Sequence, residues 1–188
     1  MKAVISLGSN VAVGKDSPFD TLSTALDRFS DEKLEVSAIS RWFQSPAYPA
    51  ESGPDFTNAI VLVSTVLPPE EILLALHRIE SQFGRVRTKR WGPRTLDLDL
   101  IAVADQIIPD AATLQTWIDL DPNLQTSAAP DQLLLPHPRM QDRAFVLLPM
   151  CDVAPDWVHP VFGLTAKQLL QRLPADSISQ LHVMENTG

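Results

Sequence analysis

A single cysteine, Cys151, is all that this 188-residue sequence contains, which excludes an intramolecular disulfide and the stapled scaffolds that depend on one. Cys151 reads as a small buried hydrophobe. Nor is a staple needed, because a chain of this length buries roughly 70% of its unfolded surface on folding. Long apolar runs are also missing. Residues 3–7 are the only apolar stretch before Gly8, shorter than the about 7 to 15 residues of a secretory signal, and nothing approaches the ~18 of a membrane span. These absences predict a reduced, cytoplasmic protein with no membrane contact. Positive charge is scarce: 15 basic residues stand against 23 acidic ones, for a net charge of -8. That balance argues against a broad duplex nucleic-acid surface, and no aromatic pair has the spacing of an RNA-reading sheet. A phosphate-binding G-x-x-x-x-G-K-[ST] loop is absent, so side chains must hold any nucleotide. No repeat, low-complexity tract or linker divides the chain, and a single catalytic domain over 1–188 is expected.

What is present alternates in period. Residues 2–7 read as a strand ending at Gly8-Ser9-Asn10, three residues that tolerate turn geometry. A helix follows, with Ser17 as cap, Pro18 at its first position and Asp20 completing the cap, and with Phe19, Leu22, Leu26 and Phe29 as its apolar stripe. Residues 35–43 and 56–66 have strand composition, separated by a proline-rich loop over 44–55. Pro68-Pro69-Glu70-Glu71 opens a second helix with core face Ile72, Leu76, Ile79 and Phe83, stopped by Gly84. A strand over 95–104 completes the order strand, helix, strand, strand, helix, strand. That order predicts an α+β ferredoxin-like sandwich: a mainly antiparallel sheet, helices packed on one face, and an active site on the open side. Residues 106–132 read as an insertion with room for a short helix. Beyond them come a helical run over 141–148, a helix opened by Thr165 and Gln168, and a terminal strand over 178–183.

The chemistry-bearing residues concentrate between positions 85 and 99. Arg85, Arg87, Lys89, Arg90 and Arg94 put five of the fifteen basic residues into ten positions, a local cation cluster suited to a small anion. Asp97 and Asp99 follow on the strand, two apart and therefore on one face, while Leu96, Leu98 and Leu100 take the other. Two neighbouring carboxylates repel by about 1 kcal/mol in water and more at lower dielectric. A divalent cation reverses that sign, and Mg²⁺ commonly takes one or two carboxylates together with substrate phosphates. A bare D-x-D is as easily a solvated strand face; arginines beside it favour a metal-polyphosphate complex. Asn58, inside an apolar strand, needs partners for its amide.

Gly8-Ser9-Asn10, FTNAI from position 56, the run RIESQFGRVRTKRWGPRTLDLDL from 78, and PHPRMQDRAFVLLPM from 136 together resemble the 6-hydroxymethyl-7,8-dihydropterin pyrophosphokinases of folate biosynthesis. The resemblance implies a ferredoxin-like fold and transfer of a diphosphate from ATP to the pterin's hydroxymethyl group, with release of AMP. It implies two Mg²⁺ ions on Asp97 and Asp99, with Arg85 and Arg94 beside them as catalytic residues. Glu80, Arg85, Arg87, Arg90, Arg94, His137 and Arg143 would serve ATP. Ser45, Pro46, Tyr48, Phe56, Asn58, Trp91 and Phe145 would serve the pterin, the two phenylalanines stacking on its faces. ATP and the pterin are the expected partners of a monomer. His77 stands where a neutral polar residue is expected near the adenine, and 106–132 exceeds the family's usual connection. Two other readings fit the pattern: another Mg-dependent nucleotide enzyme of this fold, or a non-catalytic ferredoxin-like binding module.

Overall fold

The structure, a computed structural model, describes residues 1–47, 53–84, 94–121, 124, 128 and 130–185. An interior strand, β1 (Lys2–Ser9), is buried at every position but the first. Burial on both sides explains why its sequence shows an apolar run with small residues instead of a clean alternation. β1 pairs antiparallel with β4 (Phe56–Ser64), in register from Lys2 opposite Ser64 to Ser9 opposite Thr57. On its other side it pairs antiparallel with β5 (Asp97–Val103), with a register shift between Val4 and Ile5. β2 (Glu35–Ile39) and β3 (Phe43–Ser45) both pair with the outer edge of β4, and a short β6 (His182–Val183) extends β3. The sheet order is β5-β1-β4-β3-β6, with β2 also on β4. This is the antiparallel arrangement that the strand and helix order predicts.

One face of the sheet carries α1 (Pro18–Leu26) and α2 (Pro69–Gln82). Ile5, Leu7, Val61, Val63 and Leu98 meet Leu22, Phe29, Ile72, Leu76 and Ile79 there in one buried cluster. Each such side chain contributes about 1.5 to 3 kcal/mol by leaving water. The capping box at Ser17 and Asp20 forms with both reciprocal hydrogen bonds, and Gly84 takes the expected left-handed conformation, φ 70°.

The other face is not bare, and the expectation of helices on one face alone is corrected. α4 (Ala144–Val153) and α5 (Ala166–Leu170), which follow α3 (Ala111–Ile118) in the chain, cover part of it. Val4, Ile60, Ile101 and Ala102 from the sheet pack there against Val146, Leu147, Met150 and Leu169. Leucine-rich α4 has too few polar positions to face water, so it must take a second apolar surface. The portion of this face beyond α4, at the Gly8 end of β1, holds the polar residues.

Other boundaries also differ from expectation, among them the helical run expected over 141–148, which is α4. β1 runs on through Gly8 and Ser9, because both still pair with β4. The strand expected over 35–43 breaks in two at Ser40, and β3 takes Gln44 and Ser45 from the expected loop. At the break the Ser40 N–H donates to the Ile60 carbonyl and its Oγ accepts the Ile60 N–H, so Ser40 keeps β4 satisfied where the edge changes strand. The terminal strand is reduced to β6, because residues 175–179 form the short helix α6 (Ala175–Ser179).

Candidate active site

Antiparallel register assembles the site. Asp97 of β5 lies opposite Gly8 of β1, and Gly8 lies opposite Asn58 of β4, which lies opposite Phe43 of β3. Directly opposed residues share a face, so an aspartate and an asparagine flank a glycine in one row across three strands. A Cβ built on Gly8 would stand 3.6 Å from Asn58 Oδ1, 3.8 Å from the Phe56 ring and 3.9 Å from Asp97 Cβ. Gly8 is thus the floor of a groove walled by Asn58, Phe56 and Asp97. Asp99, opposite Ser6, continues the row on β5.

Both carboxylates sit against arginines. Asp97 is ion-paired with Arg94, and Asp99 lies 3.9 Å from Arg143. The side chains of Asp97 and Asp99 are 13% and 41% exposed, so the pair lines an accessible surface instead of being sealed in the core. Two same-face carboxylates beside cations fit Mg²⁺, which needs few protein oxygens when phosphates complete its shell. Among the described residues no group of three or more acidic, histidine or cysteine ligands forms. On the core side, Glu80 is 1% exposed and its Oε1 accepts the Leu98 N–H at 2.8 Å. This buried side chain braces the backbone between the two aspartates.

His137 is fixed by the cation-rich turn around it. Its backbone N–H donates to the Ile101 carbonyl at 2.8 Å, which docks the Pro136-His137-Pro138 segment on the outer edge of β5. Nδ1 accepts the Arg139 N–H at 3.1 Å, so in the neutral ring Nε2 carries the proton. Burial, reinforced by the charges of Arg143 and Arg139, pulls this imidazole down from 6.5 to about 3. It is therefore a neutral N–H donor at pH 7, suited to a phosphate oxygen without acting as a proton acceptor.

On the other wall, Asn58 is 4% exposed and donates from Nδ2 to Ser45 Oγ at 2.8 Å and to the Phe56 carbonyl at 3.3 Å. Ser45 orients the amide, so its hydroxyl works through Asn58. Asn58 Oδ1 is the atom nearest the Gly8 groove. Pro46 is exposed, next in sequence to Ser45. Phe145, at the start of α4, is half-buried, with the Arg143 guanidinium 5.5 Å from its ring centre. The sequence-predicted residues Arg94, Asp97, Asp99, Asn58, Phe56, His137, Arg143 and Phe145 thus border the polar end of this face. Arg85, Arg87, Arg90, Trp91 and Tyr48 lie outside the described residues. Sequence reasoning missed Gly8 as the groove floor, for which the signal available was the Gly-Ser-Asn directly after an apolar strand, and it placed Ser45 on the pterin side without its bond to Asn58.

The family model for 7,8-dihydro-6-hydroxymethylpterin-pyrophosphokinase matches residues 4–155. Among curated relatives, the 2-amino-4-hydroxy-6-hydroxymethyldihydropteridine pyrophosphokinase of Synechocystis sp. is 36% identical over 94% of this chain and 78% of its own length. The protein of the same name from Pseudomonas aeruginosa is 36% identical over 96% of both. Among solved structures, wild-type Plasmodium falciparum HPPK-DHPS superposes with a TM-score of 0.61 at 18% identity, over 91% of this chain. The chain spans 44% of that longer protein, and this likeness speaks for the fold alone. With a model match over most of its length and relatives above 30% identity, the chain belongs to the 7,8-dihydro-6-hydroxymethylpterin-pyrophosphokinase family.

Proposed function

We infer that the chain catalyses its family's reaction, ATP-dependent transfer of a diphosphate to the hydroxymethyl group of 6-hydroxymethyl-7,8-dihydropterin, at the groove over Gly8. The observation that carries this reading is the row Asp97, Gly8, Asn58: a nucleotide-side carboxylate and a heterocycle-side amide separated only by a glycine. Asn58 Oδ1, held by the bonds from Nδ2 to Ser45 and Phe56, is set to accept from an amino or ring N–H of the pterin. Phe56 and Phe145 offer ring faces to a flat bicycle.

Asp97 and Asp99 would hold Mg²⁺, two ions in our reading, whose charge would offset that of the transferring phosphates. Arg94 and Arg143 bring fixed positive charge to the same place, and the neutral His137 adds an Nε2–H donor. Such preorganised charge and positioning carry most of the catalysis of phosphoryl-type transfer, so no general base is required of the protein. Arg85, Arg87, Arg90 and Trp91, on the sequence segment leading into Arg94, are assigned to the triphosphate and to covering the site. Pro46 and Tyr48 are assigned to the pterin side.

The test is AMP formation followed by chromatography or phosphorus NMR. AMP and a diphosphorylated pterin should accumulate together, only with Mg²⁺, ATP and the pterin all present. Release of inorganic pyrophosphate instead would identify a nucleotidyltransferase or cyclase, and pterin-independent ATP consumption would remove the pterin role.

A further inference from the structure

Asn10 lies just beyond β1, 4% exposed, with its side chain shared between two distant segments. Its Oδ1 accepts the Arg94 N–H at 2.8 Å, and its own backbone N–H donates to the Arg94 carbonyl at 3.1 Å. Its Nδ2 donates to the Pro54 carbonyl at 3.1 Å. Next to it, Ser9 Oγ donates to the Thr95 carbonyl at 2.7 Å. Arg94 leads into β5 and pairs with Asp97; Pro54 leads into β4 two residues before Phe56. At Gly53, an added Cβ would press to 3.3 Å from Asn10 Nδ2, so the approach to Pro54 is tight.

We propose that Asn10 is a positioning residue that couples the pterin-side and nucleotide-side halves of the site. One amide holds the segment entering the Phe56 and Asn58 strand with one end, and the segment entering the Asp97 and Asp99 strand with the other. A buried amide is costly to leave half-satisfied, so a displacement of either segment is resisted by the other. Occupancy of one half therefore biases the geometry of the other, which is a coupling free energy between two binding sites. The inference rests on the functional reading above for the identity of the two ligands.

A merely structural asparagine would lower stability and weaken both ligands alike. A coupling residue changes how each ligand affects the other. Calorimetric titrations of 6-hydroxymethyl-7,8-dihydropterin and of Mg²⁺ with a non-hydrolysable ATP analogue, each alone and in the presence of the other, separate the two. N10D keeps the acceptor for Arg94 but replaces the Nδ2 donor with an oxygen facing the Pro54 carbonyl. The expected result is that single-ligand affinities stay within about twofold while the mutual enhancement falls at least about fivefold. G53A crowds the Pro54 arm alone and should reduce the same factor in a protein with an unaltered Asn10. Unchanged enhancement in both variants overturns the proposal, as does a uniform loss of both affinities together with the melting temperature. A wild-type protein that binds both ligands without mutual effect also overturns it. Wild-type protein that binds neither ligand refutes the functional reading itself.

Discussion

Asp97 and Asp99 were legible as a same-face pair because a strand's side-chain period is two and the intervening leucines need a core. Leu96, Leu98 and Leu100 are indeed buried, at 0%, 2% and 4%. Partner choice was not legible: Ser45 orienting Asn58 depends on the register of β3 against β4, and register is a property of pairs of strands. Asp97→Ala should leave the fold in place, since the side chain belongs to the polar face, and reduce kcat by at least about a hundredfold. Circular dichroism beside the AMP assay checks both; near wild-type turnover would remove Asp97 from the chemistry. Gly8→Val tests the groove from its floor. Gly8 has no positive φ, so the backbone tolerates a β-branched residue, but the side chain would enter the space between Asn58 and Asp97. The expected outcome is a pterin KM raised about tenfold or more with a melting temperature close to wild type. An unchanged KM would place the pterin elsewhere.

Elements were readable where a local signal marks them and unreadable where a neighbour decides. The capping boxes at Ser17 and Thr165 form as expected, because all their partners lie within four residues. The division of the expected 35–43 strand into β2 and β3 depends on Ile60, about twenty positions away, whose backbone is bonded by Ser40 on both sides. Ser40→Ala removes the acceptor for the buried Ile60 N–H and should cost roughly 1 to 3 kcal/mol. Urea unfolding would show this as a lower midpoint with an unchanged slope, and Ser40→Thr, which keeps the hydroxyl, should recover most of it. If Ser40→Ala matches wild type, water replaces the hydroxyl and the break is held by other contacts. α4 illustrates the same limit: its composition demands burial, yet nothing local says which sheet face it covers.

Across the whole molecule, the two faces divide labour. Among the described residues, α1 and α2 pack on one side, while α4 and α5 cover only the end of the other that lies away from Gly8, and the candidate groove is what they leave uncovered. Arg41 ties α4 to the break between β2 and β3 through paired bonds to Asp152 at 2.8 and 2.9 Å. The segment between α4 and α5 buries His159, at 0% exposure, with Nδ1 accepting the Val161 N–H and the Trp157 and Phe162 rings against it. Among the described residues Nε2 has no hydrogen-bond partner, and burial lowers the imidazole from 6.5 to about 4. The unfolded chain therefore binds the proton first as pH falls. The stability from keeping His159 neutral is complete above about pH 6.5 and is lost progressively down to about pH 4, on the order of 2 to 3 kcal/mol by pH 4.5. His137 acts in the same direction, whereas Asp142, raised by burial, opposes it slightly at lower pH. His159→Phe isolates the contribution: it forfeits the acceptor for Val161 and should be less stable at pH 7, but its unfolding free energy should fall less steeply between pH 6.5 and 4.5. Denaturant titrations at those pH values decide it, and parallel slopes for the two proteins would mean that His159 is reached by water and titrates as it does in the unfolded chain.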